Sequence, residues 1–243
     1  MKTKIILPII LLFGFYSNAK PQTDYLYRID DMTEGVYELG VTKCGYVNEK
    51  GDTVIPLIYV GCYIDTIKAI GIVKSVKDGF IGIDKSGNKL FKILIFDNGP
   101  DYISEGLFRI IDDDEKVGFA DMDGNIVISP QFEVALPFKN GFAAVCVGGY
   151  KETVEPDSRS HYVGGKYGFI DKAGKMAIEP QFDFVSSFHN DAAMFCVGGK
   201  SVLKGEIFVW EGGKWGVINT EGKIIKEPIF DNWKAALASL QKE

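Results

Sequence analysis

The sequence predicts an all-β fold: a tandem array of five antiparallel repeat units, three strands each, ending in a short C-terminal helix. Three observations carry that expectation. One frame of residues recurs along the chain, its apolar segments are rich in β-branched and aromatic residues, and one glycine-bearing turn returns in every copy. The composition agrees, with 28 glycines but only 9 prolines among 243 residues, 46% of them hydrophobic. Such a chain suits short strands joined by tight turns and excludes an unstructured one. Lys plus Arg number 27 against 33 Asp plus Glu, and a net charge of −6 argues against a nucleic-acid partner.

Residues 1–19 read as a signal peptide. Lys2 and Lys4 give a positive start, Ile5 to Phe15 an apolar run, and Ser17-Asn18-Ala19 a small-residue cleavage site. A spanning helix needs nearer ~20 apolar residues, and Pro8 and Gly14 interrupt this run. Cleavage after Ala19 would place the mature chain in the periplasm or outside the cell with no membrane span; an uncleaved anchor is the alternative. Residues 20–33 are taken as a lead-in and 34–231 as the repeat domain.

The frame is clearest in Cys44-Gly45-Tyr46-Val47-Asn48, Val117-Gly118-Phe119-Ala120-Asp121, Tyr167-Gly168-Phe169-Ile170-Asp171 and Trp215-Gly216-Val217-Ile218-Asn219. A second glycine follows at Gly51, Gly124, Gly174 and Gly222, and a proline at Pro56, Pro130, Pro180 and Pro228. A fifth copy, Ile81-Gly82-Ile83-Asp84 to Gly87, lacks the proline. A marker precedes each frame: Glu34-Gly35-Val36-Tyr37, Ile70-Gly71-Ile72-Val73, Glu105-Gly106-Leu107-Phe108, Asn140-Gly141-Phe142-Ala143, and finally a copy with Asp191 for the glycine.

Each copy reads as a strand after the marker, a second through the Gly-aromatic segment, and a third before the proline. Between the second and third, Asn48, Asp84, Asp121, Asp171 and Asn219 open a turn by bonding the backbone ahead, and a glycine ends it at positive φ. Proline cannot donate to a ladder and is expected to end the third strand. Phe132, Phe182 and Phe230 are expected in the core, and a neighbouring aromatic is expected to pack over Gly118, Gly168 and Gly216. Residues 232–243 are expected to form the capping helix, capped by Asp231, with Trp233, Ala236, Leu237 and Leu240 on one face covering the last strand edge.

Lys214-Trp215-Gly216-Val217-Ile218-Asn219 with Gly222-Lys223 resembles the WG, or KWG, repeat of bacterial proteins. Gly165-Lys166-Tyr167-Gly168-Phe169-Ile170-Asp171 through Glu179-Pro180-Gln181-Phe182-Asp183 is similar to the same pattern, with Tyr for Trp. The resemblance implies a tandem β-rich array, often exported, with an interaction or scaffold role and no catalytic residues to transfer. An open array and a closed, propeller-like ring both fit, the open form better, because propeller blades run to ~40–45 residues with four strands.

No catalytic, cofactor or metal constellation stands out. His161 and His189 lack partners at ligand spacing and read as surface residues. Asp121-x-Asp123-Gly124-Asn125 is a turn rather than a calcium loop, because it lacks the last ligand. Two insertions after Val147-Gly148-Gly149 and Val197-Gly198-Gly199 are more informative. They lengthen hairpins that carry Tyr150, Arg159, His161, Tyr162, Phe208 and Trp210, residue types that interfaces favour. These rings bind a partner or pack on each other to hold the hairpins up. The expectation is a non-enzymatic module that binds a protein partner in the envelope or outside the cell, with a surface glycan as the alternative and a glycan-acting enzyme a distant third. Cys146 and Cys196 occupy one slot in consecutive copies and are either two buried thiols or a disulfide between stacked units.

Overall fold

The computed structural model describes residues 23–31, 42–154 and 159–242. The expected signal segment and the Glu34–Tyr37 marker lie outside the described residues. Five antiparallel units follow one another, and their sheets do not close into a ring. Unit one holds β1 (Leu26–Asp30), β2 (Cys44–Val47) and β3 (Thr53–Tyr59), so the stretch expected as a lead-in supplies a strand. Next come β4 (Gly61–Cys62) and β5 (Thr66–Ile67), the latter pairing back onto β1. Unit two is built on β6 (Gly71–Ser75), β7 (Gly79–Ile83) and β8 (Lys89–Ile93), with β4 at its edge.

A small hairpin, β9 (Ile95–Phe96) and β10 (Gly99–Pro100), leads to unit three: β11 (Leu107–Ile111), β12 (Val117–Asp121) and β13 (Ile126–Phe132). Unit four pairs β14 (Val134–Ala135), β15 (Phe142–Val154), β16 (Arg159–Asp171) and β17 (Met176–Phe182). Unit five orders β18 (Phe184–Val185), β19 (Ala192–Val197), β22 (Lys214–Asn219) and β23 (Ile224–Phe230), with the hairpin β20 (Lys200–Lys204) and β21 (Ile207–Glu211) inserted between β19 and β22. Units two to five therefore have the three expected strands, unit one takes its first from before the marker, and one further strand flanks the first strand of every unit. In units two, four and five the edge strand is the bent continuation of the preceding unit's last strand.

The turn chemistry is the same in all five copies. The side-chain oxygen of Asn48 accepts from the Lys50 and Asp52 N–H groups at 2.9 and 3.0 Å. Asp84, Asp121, Asp171 and Asn219 do the same for the residues two and four ahead. The marker is a second tight turn, with bridges Ser104–Leu107, Lys139–Phe142 and His189–Ala192. Its two central residues both have positive φ, as a type I′ turn requires, and Asp191 at φ 62° takes the glycine's place. Gly71, read as the marker of unit two, instead lies inside β6.

Proline does not end the third strand. The register steps from Val117↔Phe132 to Phe119↔Ile128, so the third strand carries two extra residues in a bulge, and Pro130 sits in it. Units one, four and five repeat the step. A missing donor does no harm at a bulge. The bulge explains the strand glycines as well. A Cβ on Gly118 or Gly168 would run into the folded-over backbone of Ile128 and Pro130, or of Ile178, Glu179 and Pro180, not into an aromatic ring. The aromatic explanation holds only in part, at Gly216, where Phe195 and the Lys226 carbonyl both close in, and at Gly82 under Phe91. Unit two has no proline and no such bulge, so β8 runs straight on and pairs with β11, fusing units two and three into one seven-stranded sheet.

The cores lie between units. On β15, Ala143 and Val145 join Phe119, Ile128 and Phe138 of the preceding interface, while Ala144 joins Phe169, Phe188 and Ile218 of the next. Alternate residues thus face different neighbours, which is why these strands are apolar runs rather than alternating patterns. Consecutive units interlock through the turns. Gly87 packs on Ile55, Gly174 on Ile128 and Gly222 on Ile178, each time on the third strand of the unit before. Phe132 and Phe182 are buried as expected, Phe230 only partly.

The last face is covered by α1 (Trp233–Ala238), which runs on into a 3-10 turn at Ser239–Lys242. Asn232, not Asp231, is its cap, accepting from the Ala235 N–H at 2.9 Å, while Asp231 pairs with Lys214. The helix lies on the sheet face rather than along an edge. Ala236 is fully buried beside Trp215 and Val217, whereas Trp233 and Leu237 stay exposed.

Candidate functional site

The inserted residues form two projecting hairpins. β15 and β16 pair without interruption from Gly149↔Gly164 out to Val154↔Arg159, and β20 pairs with β21 from Lys200↔Glu211 to Lys204↔Ile207. Double glycines cross each hairpin at its base, Gly148 and Gly149 opposite Gly164 and Gly165, and Gly198 and Gly199 opposite Gly212 and Gly213. Most of them hold positive φ, which bends the strands out of the sheet.

The thiols belong to this bend. Cys146 and Cys196 are both buried and free, so the disulfide between them is not formed. A Cβ on Gly165 would come within 2.8 Å of the Cys146 sulfur, and one on Gly213 within 2.5 Å of the Cys196 sulfur. Each cysteine is a small side chain packed beneath a kink that only glycine can make. Burial pushes the Cys146 thiol up to about 11 and raises Cys196 as well, so both remain protonated and unreactive at neutral pH. The disulfide is instead Cys44–Cys62, tying β2 of unit one to the edge strand of unit two.

The hairpin aromatics hold the hairpins to the body and to each other. His161 stacks on Phe208 across the two hairpins, with ring centroids 4.1 Å apart. Its side chain is 10% exposed, so it is not the surface residue expected of a lone hairpin histidine. Trp210 stacks on Phe184 and donates its N–H to the Gly198 carbonyl. Tyr150 alone projects, 64% exposed. Tyr162 stands between two clefts, and Arg159 closes the strand pairing at the tip, its side chain lying outside the described residues. The smaller cleft lies between the hairpins, about 130 Å³, with Tyr162, Tyr167, Asp183 and Trp210 on its walls. Burial works against the Asp183 charge, but Lys166 and the Gly198 N–H outweigh it and hold the carboxyl below its ordinary range.

A larger cleft of about 480 Å³ opens between units three and four. It was missed at the level of sequence because its walls come from the β9–β10 hairpin, β11, β14 and the long hairpin, far apart along the chain. Arg109 forms its floor, almost fully buried with Asp101: the guanidinium donates to both carboxylate oxygens and to the Ala135 carbonyl. Removing either partner of such a pair costs ~3–5 kcal/mol, because the other is left buried and uncompensated. Lys116 bonds Glu133 at 2.7 Å, and Lys151 bonds Glu115 at 2.7 Å, fastening the long hairpin to unit three. Ile95 on the cleft wall is exposed, as are Phe96, Tyr102 and Ile103, near it in the chain, with Phe96 packed edge-on to Tyr102. The signal for this hairpin was the Asp97-Asn98-Gly99 turn between apolar residues, hidden by its place in the degenerate copy.

The comparison with protein families follows the structural frame. A family model described as the WG containing repeat matches residues 45–64, 118–150, 167–200 and 215–232. Each match begins at or just before the strand glycine that the bulge covers, and the bulge-free stretch at Gly82 falls between the matched segments. No curated protein matches the chain. With the glycine, the turn and the bulged proline recurring together in four units, the chain is a WG repeat-containing protein.

Proposed function

We propose that this is an exported, non-catalytic binding module that engages a protein partner on the face shared by the long hairpins and the β9–β10 hairpin. The observation that carries this is the cluster of exposed apolar residues Ile95, Phe96, Tyr102 and Ile103 on the β9–β10 hairpin and the segment after it, where Ile95 lines the cleft shared with the β15–β16 hairpin. Large apolar side chains left in water on projecting elements are what protein interfaces use. A glycan surface needs flat, open rings, and here Phe208 and Trp210 are occupied in stacks. A disulfide between units one and two suits an oxidising compartment, in keeping with a signal peptide.

A photo-crosslinking residue placed at Tyr102 or Ile103 in cells of origin tests this. Both positions should give one shared protein adduct, and Val76, 83% exposed in unit two, should not. Absence of an adduct at both positions would overturn the reading.

A further inference from the structure

We propose that the cleft between units three and four is a binding site for a small uncharged ring compound carrying one N–H or O–H donor, of the indole or phenol class. This does not depend on the partner proposed above.

The first argument is the shape of the space. Register places Cys44, Val117 and Tyr167 in one slot, opposite Tyr59, Phe132 and Phe182. It likewise places Gly61, Val134 and Phe184 in one slot of the following edge strand, with Cys62, Ala135 and Val185 in the next. Between units one and two the second slot is Gly61, and a disulfide runs from Cys44 in the first slot to the neighbouring Cys62. Between units four and five the two slots are filled by two rings, Tyr167 and Phe184, 5.9 Å apart. Between units three and four both are valines, and both line the cleft. Two missing rings leave room for a ring.

The second argument is the chemistry of the walls. Leu94, Ile95, Ile111 and Leu136 join the two valines in an apolar lining, and about 480 Å³ lies within the range of small-molecule sites. The charged groups at the cleft are already matched, Arg109 with Asp101, Lys116 with Glu133 and Lys151 with Glu115, so an ionic ligand gains nothing. One polar atom is left over. Glu133 lines the cleft, and while its Oε1 accepts from Lys116, its buried Oε2 has no partner. A buried acceptor without a donor is costly, and a ligand N–H or O–H would satisfy it.

Indole is the probe, and benzothiophene, of similar shape without the N–H, is its control. Indole should shift the Val117, Val134 and Leu136 methyl resonances saturably, and benzothiophene should bind at least about tenfold more weakly. Glu133→Met should bind the two equally. Val134→Phe, which copies the Phe184 of the next interface, should abolish indole binding. Methyl shifts in the unmodified protein keep the test independent of how that variant folds. The proposal fails if indole gives no saturable shift, if benzothiophene binds the unmodified protein as well as indole does, or if a folded Val134→Phe still takes up indole.

Discussion

Cys44 and Cys62 are joined by a disulfide, their Cα atoms 6.2 Å apart, and Cys44 holds the slot from which Tyr167 packs on Phe184 between the fourth and fifth units. The repeat frame therefore fixes where consecutive units must be joined and leaves open what joins them. A covalent link serves between the first two units, and aromatic packing serves between the last two, near the helix-capped end.

Loss of the bridge is expected to be felt strongly. Its sequence separation is 18 residues, and closing a loop of that size is worth about 3 kcal/mol. Cys44→Ser with Cys62→Ser should lower stability by about that amount in urea denaturation. Non-reducing peptide mapping should find Cys44 bound to Cys62 and free thiols at Cys146 and Cys196. A Cys146–Cys196 peptide would contradict the arrangement at the hairpin bases.

The two kinds of frame glycine should differ sharply in tolerance. At Gly168 an added Cβ meets backbone atoms of the bulge that cannot turn aside, so Gly168→Ala should cost about 3 kcal/mol or more. At Gly51 nothing lies within 4 Å, and only the positive φ resists, a cost of about 1 kcal/mol. Chemical denaturation of the two variants compares them directly. Equal losses would mean that the bulge does not press on the strand.

Acid should act partly through the turns. Burial opposes the charges of Asp84 and Asp121, but the hydrogen bonds they accept from Asn88 and Asn125 and from the turn N–H groups outweigh it, and both carboxyls are held below their ordinary range. A depressed folded value stabilises the protein fully above about pH 4 and is lost as pH falls through that folded value. Asparagine already serves at Asn48 and Asn219. Asp84→Asn with Asp121→Asn should therefore lose less stability than the unmodified protein between about pH 4 and about pH 2, measured by urea midpoints. Identical acid limbs would show that these bonds do not depend on ionisation.

What was legible in the sequence was local chemistry. The Asp/Asn-to-glycine turns, the strands and both inserted hairpins depend on residues a few positions apart, and periodicity exposes them. Pro130 and Pro180 were misread because a strand-ending proline and a bulge proline leave the same sequence signal; only the partner strand's register separates them. The two cysteine pairs show the same limit. Cys146 and Cys196 matched by slot but pack under glycine kinks, while Cys44 and Cys62 looked unmatched because one lies on the second strand of unit one and the other on the edge strand of unit two. The cleft between units three and four was invisible for a related reason: it is made by what Val117 and Val134 do not fill.

Stacking in chain order, with each turn seated on the unit before it, is tested most directly by nuclear Overhauser contacts in isoleucine-methyl-labelled protein. The structure predicts cross-peaks from Ile55 to Gly87, Ile128 to Gly174 and Ile178 to Gly222, and none from Ile55 or Ile67 of unit one and its edge strand to Val217 or Ile218 of unit five. Absence of the three sequential contacts, or a contact joining the first unit to the last, would contradict an open array of interlocked WG repeats.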